Sequence, residues 1–353
     1  MSKPKYKLVE NHIKKGIKKD AFSGKLPGER TLAKELGYSY MTIRKAIDNL
    51  VSEGLLYKVP TKGTFVVGKK EPRKQTHTIG YFLDDSIKGG ISSPYYSLIF
   101  SALEKEAASK GYSLVYFSNS IQDDLYKTIS KLDGVIASCF PHTESIIHDI
   151  NNLAPVVAID NSSADKSIPS VIIDNFTAVL DSFEHLISLG HRRIGFIQGI
   201  DDSDLGRNRY SAYRYGLCKH EIPYEKKYVY KGDFSIESGF KGAKHLLNQK
   251  SSPTAIICAN DSMAIGAIHS IHQKGLNVPE DISVIGFDDI KLATHIYPSL
   301  TTIAVPIDEI IKKCVEMLIQ LIENKDLDNR HIALPAKLVL RDSCKELSKH
   351  QAA

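Results

Sequence analysis

Three polar side chains follow short hydrophobic runs in the C-terminal part of the chain, where they could bind the hydroxyl groups of a small ligand. They are Asp160, Asn260 and Asp288. The carboxyl ends of parallel strands meet at one edge of a sheet, and α/β proteins bind ligands there. Carboxylates and amides that converge on a cleft can bind vicinal hydroxyls, as in a sugar. Taken alone, an Asp at a strand end is more often a helix cap, so both roles stay open.

Adjacent acidic residues could instead indicate acid–base or metal chemistry. Such pairs occur at residues 84–85, 201–202 and 288–289. Neighbouring residues of a strand point to opposite faces, which separates two adjacent carboxylates. The sequence contains none of the motifs GxSxG, HExxH and GxxxxGK[ST], which carry nucleophilic, zinc and phosphate chemistry respectively. His185 and His191 have no convincing set of partner ligands. We therefore expect no catalytic residue, no metal site and no cofactor.

The positive charge of the chain is concentrated at its N-terminus. The full sequence has 353 residues and a net charge of +5, but residues 1–74 contain 18 Lys and Arg against 7 Asp and Glu. That segment carries +11, and the remainder carries −6. Clustered Lys and Arg displace counterions from phosphates and so favour nucleic acid as a partner. A basic disordered tail is the alternative, and the patterning of the segment argues against it.

The cysteine pattern indicates a reducing compartment. The five cysteines are far apart, form no CxxC pair and are odd in number, which argues against a disulfide framework or a zinc site. The N-terminus runs into an amphipathic segment rather than the apolar stretch of a signal peptide. No apolar run reaches the length of about 18 residues that spans a membrane. We therefore expect a cytoplasmic protein that has no membrane contact.

The basic segment begins with three predicted helices. Apolar residues recur at helical spacing over residues 6–17 and again over residues 43–51. Between them, Pro27 and Gly37 mark the start and end of a short helix, and Ser39 can cap the helix that follows. Two short helices joined by a tight glycine turn, the second with a polar N-terminal face, form the arrangement that places a recognition helix in the major groove of DNA.

A hairpin and a linker complete the N-terminal part. Strand-like segments at residues 55–59 and 64–67 flank a turn with a basic residue beside a glycine, which predicts a wing that reaches the minor groove. The next ten residues lack apolar periodicity and contain proline and cationic side chains, as a solvated connector does. The predicted domains are a DNA-binding domain at 1–67, a linker at 68–77 and a ligand-binding domain at 78–353.

Beyond the linker, short β-branched runs alternate with helical patterns in two sets. The first set lies at 79–83, 114–117, 134–137, 156–159 and 171–173, and the second at 193–197, 255–259, 283–287 and 302–305. Such alternation builds parallel sheets that are covered by helices on both faces. The predicted fold class is therefore α/β, with an N-terminal winged helix-turn-helix and two doubly wound lobes that hold a ligand between them.

Four motifs in the N-terminal segment resemble the winged helix-turn-helix of the GntR family. They are LPGER at 26–30, TIRKA at 42–46, GLL at 54–56 and KGTFV at 62–66. The segment departs from the family at two positions. Gly28 stands where the family usually has a small hydroxyl residue, and Tyr40 stands where it often has a DNA-contacting arginine. The base readout is therefore expected to differ from that of relatives.

The GntR resemblance implies a set of DNA contacts. The predicted contacts are Arg30, Tyr40, Thr42, Arg44, Lys45, Lys62 and Gly63. In the family, Arg30 and Arg44 would hold phosphates or read guanine, with support from Thr42, and Gly63 at the wing tip would approach the minor groove. The alternative is that both arginines are solvated surface cations and that the glycine is a turn residue.

Residues from about 78 to 344 resemble the sensor domain of the LacI/GalR family, which is itself similar to periplasmic sugar-binding proteins. The matching segments lie at 93–96, 133–136, 189–194, 207–209, 259–261, 284–289 and 298–302. The effector contacts that this resemblance implies are Tyr95, Tyr96, Asp160, Arg207, Phe234, Asn260 and Asp288. In it, Arg207, Asn260 and Asp288 are the central hydrogen-bonding partners and Phe234 stacks on the ligand. Core packing is the alternative role of Phe234.

The combination of a GntR-type head with this sensor resembles the bacterial arabinose repressors, although the residues do not identify the ligand as arabinose. We expect a repressor of carbohydrate-utilisation genes that binds double-stranded operator DNA as a homodimer. A small-molecule effector, a monosaccharide or a derivative, would release it. A ligand-activated activator of the same architecture is the main alternative. A transport-type sugar-binding protein would need export, which the lack of a signal peptide and the basic head argue against.

Overall fold

The computed structural model describes residues 4–19, 21–22, 24–53, 55–59, 63–66, 75–119, 125–200 and 204–347. The N-terminal part contains α1 Lys5–Lys18, α2 Glu29–Leu36, α3 Tyr40–Ser52, β1 Leu56–Val59 and β2 Gly63–Val66. The hydroxyl of Ser39 accepts a hydrogen bond from the backbone N–H of Thr42 and caps α3, as predicted. Gly37 ends α2 with a φ of 67°, a backbone conformation that favours glycine. Local sequence signals thus place the three helices.

The wing contains one more extended segment than the sequence predicts. β1 and β2 pair antiparallel, with Leu56 opposite Val66. Residues 24–26 pair with the outer edge of β2, because the N–H of Leu26 donates to the carbonyl of Thr64 at 2.8 Å and the N–H of Val66 donates to the carbonyl of Gly24 at 2.7 Å. This pairing attaches the segment between α1 and α2 to the wing.

The C-terminal part forms two lobes, each built on a six-stranded sheet. Lobe 1 contains β3 Thr78–Phe82, β4 Ser113–Phe117, β5 Gly134–Ser138, β6 Val156–Ile159, β7 Ser170–Ile173 and β13 His331–Leu334, in the order β4-β3-β5-β6-β7-β13. Lobe 2 contains β8 Ile194–Gln198, β9 Val229–Lys231, β10 Ala255–Cys258, β11 Ser283–Asp288, β12 Thr301–Ala304 and β14 Lys337–Val339, in the order β9-β8-β10-β11-β12-β14. The strand pairs are parallel except β12 with β14. The predicted fold class is confirmed.

Each lobe combines one long continuous segment with a short segment that follows later in the chain. Lobe 1 carries α4 Pro94–Ser109, α5 Leu125–Ile129, α6 Glu144–Leu153 and α11 Ile307–Ile322, and lobe 2 carries α7 Asn175–Ser188, α8 Asp204–Lys219, α9 Ile236–Leu247 and α10 Asp261–Gln273. The chain crosses between the lobes after β7, after β12 and after β13. These crossings bring the carboxyl ends of strands from both sheets to one cleft.

The central strands explain the hydrophobic runs of the sequence. Every residue of β5, β6, β8 and β10 is buried, as expected for parallel strands that are covered by helices on both faces. Among the helices that the structure describes, none combines the length and apolar character that a bilayer crossing requires.

The end of the predicted linker is held by lobe 1. The N–H of Thr76 donates to the carboxylate of Asp133 at 2.9 Å, and its hydroxyl donates to the carbonyl of Lys131 at 2.9 Å. Residues 68–74 of the linker lie outside the described part of the chain, and the three domain boundaries otherwise stay predictions.

Candidate functional site

A cleft between the two lobes brings most of the predicted effector contacts together. It encloses about 910 Å³ including its open mouth. Its lining includes Lys88, Tyr95, Tyr96, Phe140, Asp160, Asn175, Arg209, Asp233, Phe234, Asn260 and Asp288. Six of the seven predicted effector contacts line this cleft, and Arg207 does not.

The lobe 1 wall of the cleft is organised around Asp160, which directly follows β6. Its carboxylate accepts hydrogen bonds from the hydroxyl of Tyr95 at 2.9 Å and from the hydroxyl of Ser138 at 2.8 Å. The ring of Tyr95 makes an edge contact with that of Tyr96, which is buried, with centroids 5.2 Å apart. Burial raises the pKa of Asp160, although these hydrogen bonds oppose the rise. The carboxylate is therefore fixed in position before any ligand arrives.

The structure corrects the predicted arginine contact. Arg207 lies on the exposed side of α8, whereas Arg209 is 6% exposed and lines the cleft. Successive residues of an α-helix are about 100° apart, so two positions along the helix lead to the opposite face. Leu205 and Tyr213 lie four residues on either side of Arg209 and are buried with it. Their apolar spacing was the signal in the sequence that could have identified Arg209 instead.

The guanidinium of Arg209 is held by three groups of the protein. Its Nε–H donates to the side-chain oxygen of Asn175 at 2.8 Å, and a second N–H donates to the carbonyl of Ala259. The guanidinium carbon lies 3.5 Å from the ring centroid of Phe287, a cation–π contact. Burial raises the pKa of Asp288 well above its usual value, and the Arg209 charge opposes that rise. Arg209 is therefore the central counter-charge of the cleft.

Asn260 is a helix cap, one of the two roles that the sequence left open, and it also lines the cleft. Its side-chain oxygen accepts a hydrogen bond from the N–H of Met263 at 2.9 Å and caps α10, and its amide N–H donates to the carbonyl of Phe234 at 3.0 Å. The ring of Phe234 lies against Gly199, where a Cβ would come within 2.1 Å of it. Asn260 and Gly199 thus position the aromatic side chain in the cleft, and no local sequence pattern indicates this role of Gly199.

Three of the cleft residues have a strained backbone. Seven non-glycine residues in the described part of the chain have a positive φ, and Asp160, Phe234 and Asp288 are among them with values of 69°, 65° and 112°. Such conformations cost about 1–3 kcal/mol each and persist where the surrounding structure imposes them, which occurs most often at ligand sites. Positive φ values at three cleft residues are typical of a ligand site.

Among the described residues, two polar contacts join the lobes across the cleft. At the mouth, the ammonium of Lys88 lies 2.6 Å from the carboxylate of Asp233. Deeper in, the side-chain oxygen of Asn161 accepts a hydrogen bond from the N–H of Leu205 at 3.0 Å, while its amide donates to the carbonyl of Cys139 at 2.7 Å. Both contacts depend on the distance between the lobes.

The described members of the acidic pairs have different surroundings. Asp84 is buried, and its carboxylate accepts from the N–H of Ser86 at 2.8 Å, lies 3.0 Å from a ring nitrogen of His142 and also accepts from the side-chain amide of Asn119. Asp288 lines the cleft, whereas Asp289 forms an ion pair with Arg341 at 2.7 Å. Residues 201–202 lie outside the described residues. No group of three His, Cys, Asp or Glu within the described segments could hold a metal ion.

Another acid at a strand end has a structural role. The buried carboxylate of Asp261 accepts hydrogen bonds from the N–H of Ile290 at 2.9 Å and from the hydroxyl of Thr302. Burial raises the pKa of Asp261 to about 7. This carboxyl group joins α10 to the ends of β11 and β12 and so supports the neighbouring cleft residues.

Two of the predicted DNA contacts, Tyr40 and Arg44, are exposed on α3. In α3, Tyr40 and Met41 are 41% and 68% exposed, and Arg44 is also exposed. Arg30 is exposed near the start of α2. Met41 was not among the predicted contacts, but a large apolar side chain on this helix fits contact with a thymine methyl group.

The remaining predicted DNA contacts have varied surroundings. The hydroxyl of Thr42 lies 2.8 Å from that of Ser39, within the cap of α3. The ammonium of Lys45 lies 4.6 Å from the ring centroid of Tyr6 in α1. Gly63 has a φ of 118° at the start of β2, and Lys62 lies outside the described residues. Thr42 and Lys45 thus already contact the protein itself.

Two family patterns match the chain. Residues 5–66 match the bacterial regulatory proteins of the gntR family, and residues 183–344 match the periplasmic binding protein-like domain. The HTH-type transcriptional repressor CytR of Escherichia coli K12 is 32% identical over 289 residues, which cover 80% of this chain and 83% of CytR. The probable HTH-type transcriptional repressor ExuR of Bacillus subtilis 168 is 30% identical over 333 residues, which cover 90% of this chain and 98% of ExuR.

A solved structure shares the arrangement of the two lobes. The sugar-binding transcriptional regulator of the LacI family from Escherichia coli, complexed with phosphate, has a TM-score of 0.65 and 27% sequence identity. The similarity covers 78% of this chain and all of that one.

Proposed function

Because this chain belongs to the LacI/GalR-type transcription repressors and carries a GntR-type winged helix-turn-helix, we propose that a small sugar or sugar derivative binds its cleft and releases it from operator DNA. The protein is a DNA-binding transcription repressor, like its relatives. The regulated genes in this proposal are carbohydrate-utilisation genes. We place the protein in the cytoplasm, where a bacterial repressor meets its operator.

The observation that carries the proposal is the arrangement around Arg209. A buried guanidinium lies among the carboxylates of Asp160 and Asp288, and the rings of Tyr95 and Phe234 line the same cleft. Sugars present hydroxyl groups at their edges and C–H groups on their faces. Fixed polar groups beside aromatic surfaces match that pattern, since a few polar groups orient a ligand in a mostly apolar pocket.

The contacts between the lobes suggest how binding is coupled to DNA. Lys88 with Asp233, and Asn161 with the N–H of Leu205, join the lobes in this structure. A ligand that touches both lobes favours the arrangement in which these contacts form, and it shifts the population only by its differential affinity for that arrangement. A coupling of about 1–3 kcal/mol is typical of such regulators, and operator DNA must weaken effector binding by the same factor.

We also propose that the repressor acts as a homodimer that binds two operator half-sites related by two-fold symmetry. Large apolar side chains on the surface of lobe 2 support this assembly. Leu292 is 47% exposed, Tyr297 is 91% exposed and Leu340 is 61% exposed. The two segments that carry them are adjacent, because the N–H of Asp342 donates to the carbonyl of Ser299 at 3.1 Å. An exposed apolar patch of this kind is typical of a protein–protein contact.

A two-stage experiment tests the proposed function. Thermal unfolding of the full-length protein is first measured with a panel of monosaccharides, because a ligand at 100 times its Kd adds about 2.7 kcal/mol of stability. The operator is selected from a random duplex pool, and its affinity is then measured with and without each stabilising sugar. We expect the sugar to weaken operator binding by about 5- to 150-fold. Equal affinities in both conditions, or tighter binding, would show that the sugar does not release this repressor.

A further inference from the structure

The recognition helix and the wing must be placed correctly relative to one another if both are to contact one duplex. The helix α3 is predicted to enter the major groove, and the hairpin of β1 and β2 is predicted to reach the minor groove. Residues that hold such elements in place affect binding without touching the ligand. The contacts between α3 and the wing are therefore candidates for a role in operator binding.

One side of this junction is apolar. Leu50 of α3, Leu56 of β1 and Val66 of β2 are buried together in the core of the head. Burial of apolar side chains is non-directional, whereas a hydrogen bond depends on distance and angle. A polar contact across the same junction would therefore define the placement of the wing more sharply than the core does.

Lys58 makes such a contact from β1. Its ammonium lies 2.7 Å from Oδ1 of Asp48 in α3 and 3.2 Å from Oε1 of Glu29 in the first turn of α2. Burial lowers the pKa of Lys58, but the hydrogen bonds and charges of the two carboxylates outweigh that effect and leave the pKa above its usual value. Lys58 thus joins the wing to both helices of the helix-turn-helix.

Another ion pair in the head connects different elements. Lys14 of α1 lies 2.5 Å from Glu53, at the C-terminal end of α3. That pair joins two helices and involves no residue of the wing. Among the ion pairs between described residues of the head, those of Lys58 are the ones that reach the wing.

The surroundings of Lys58 make it a poor phosphate contact. Its ammonium lies between two carboxylates, so the three groups together carry a net negative charge. A phosphate would have to displace Asp48 or Glu29 from the ammonium and would lie close to their charges. The side chain of Lys58 is 37% exposed, and exposed ion pairs contribute little to stability. Loss of Lys58 is therefore expected to leave the head folded.

We propose that Lys58 is a positioning residue for operator binding, which sets the wing relative to the recognition helix through Asp48 and Glu29 and does not itself bind a phosphate. A misplaced wing weakens the contacts that read the operator sequence more than it weakens the general attraction of cations to phosphates. Lys58 therefore acts on the preference of the protein for its operator over other sequences. This role concerns DNA binding alone and does not depend on the effector.

The test measures the affinity of the full-length protein for two labelled duplexes of equal length, the operator selected from a random pool and a scrambled sequence. We expect Lys58→Met to lower the ratio of operator to scrambled affinity at least about threefold, as for coupled residues of one charged network. The salt dependence of operator binding should stay unchanged. Loss of a lysine that binds a phosphate would instead weaken both duplexes about equally and lower the salt slope by about 0.9. That result would overturn the proposal.

A second variant removes the same contacts from the acidic side. Glu29→Gln combined with Asp48→Asn keeps Lys58 but removes both charges that hold it, so the affinity ratio should fall again. It should fall even though the loss of two negative charges strengthens binding to the scrambled duplex. Addition of Lys58→Met to this double variant should cause no further fall. The double variant also keeps the proposal testable if Lys58→Met does not fold.

A matched control separates placement from charge. Lys15→Met removes one positive charge from an exposed position of α1 and is expected to leave the affinity ratio unchanged. Circular dichroism and thermal unfolding show whether each variant is folded. An unchanged ratio in folded Lys58→Met or in the folded double variant, or an equal fall in Lys15→Met, would contradict the positioning role. A further fall in the triple variant would also contradict it.

Discussion

The DNA-binding head and the sensor cleft use arginine in opposite ways. Arg30 and Arg44 of the head are exposed, whereas Arg209 of the sensor is 6% exposed and held by the protein on several sides. A DNA duplex carries a dense row of phosphates with its own counterions, so cations that bind it must be accessible and act by displacing those ions. A small ligand that enters a cleft displaces water from the charged groups there. Each charge of the site therefore needs a partner in the protein before the ligand binds.

This comparison gives different expectations for the two regions. Loss of an exposed cation weakens DNA binding but leaves the fold intact. Loss of a buried one removes ligand binding and destabilises the fold as well. Variants of matched chemistry in each region therefore test whether the two regions differ in this way.

The largest effect is expected for Arg209→Met, which leaves Asp160 and Asp288 without their counter-charge. Breaking a buried charge cluster by removing one partner costs about 3–5 kcal/mol, so both the free energy of unfolding and the effector affinity should fall strongly. Urea unfolding and calorimetric titration measure the two effects. Arg207→Met is the matched control on the same helix, and it should change neither by much because Arg207 is exposed. If Arg207→Met abolished effector binding and Arg209→Met did not, the assignment of the cleft arginine would be wrong.

A smaller effect, confined to DNA, is expected for Arg44→Ala. Operator binding should weaken by about 1–3 kcal/mol if this side chain reads a base, with the free energy of unfolding nearly unchanged. Titration of labelled operator at several salt concentrations measures it. Lys15→Ala removes an exposed charge from α1 and serves as the control. Unchanged operator affinity for Arg44→Ala would exclude the role in base readout.

An effect of pH on the stability of the sensor domain is expected next, smaller than the effect of Arg44→Ala on operator binding. His191 is buried, with its two ring nitrogens 2.9 Å from the hydroxyl of Thr254 and 3.1 Å from the carbonyl of Lys345, and burial lowers its pKa to about 4. The folded state therefore favours the neutral ring. Its stabilising contribution is complete above the unfolded pKa of about 6.5 and is lost as the pH falls toward 4.

Thermal unfolding of the wild type and of His191→Gln at several pH values tests this expectation. The stability advantage of the wild type should shrink by on the order of 1 kcal/mol between pH 7.5 and pH 5, because only the histidine takes up a proton on unfolding. A constant difference across that range would show that His191 does not titrate in this way.

The smallest effect is expected at the mouth of the cleft. Lys88→Ala removes the ion pair with Asp233, and effector affinity should fall by about twofold to fivefold, since exposed ion pairs contribute little. The loss should diminish at high salt, unlike that of Arg209→Met, because exposed charges are screened more strongly than buried ones. If Lys88→Ala and Asp233→Ala had fully additive effects on effector affinity, the two residues would not be coupled.

Much of the head could be predicted from the sequence because its signals are local. The apolar stripe of α3, its cap at Ser39 and the end of α2 at Gly37 depend on residues within a few positions of one another. The central strands of the two sheets could be predicted equally well from their hydrophobic runs. Asp160, Asn260 and Asp288 could be placed in a cleft because they end such runs, and the family resemblance pointed to the same positions.

Tertiary structure decided what local patterns could not. Lys88 and Asp233 are 145 residues apart in the chain, and only the crossings between the lobes bring them together. The edge strands β9, β13 and β14 are short and weakly patterned, so their pairing depends on neighbours from distant segments. The choice of Arg209 over Arg207 required the orientation of α8.

Periodicity and capping act over a few residues. They were therefore enough to predict a basic DNA-binding domain, an α/β sensor domain with two lobes and the strand ends that line its cleft. Which charges are paired across that cleft depended on how distant segments pack, because burial and electrostatic pairing are properties of the assembled fold.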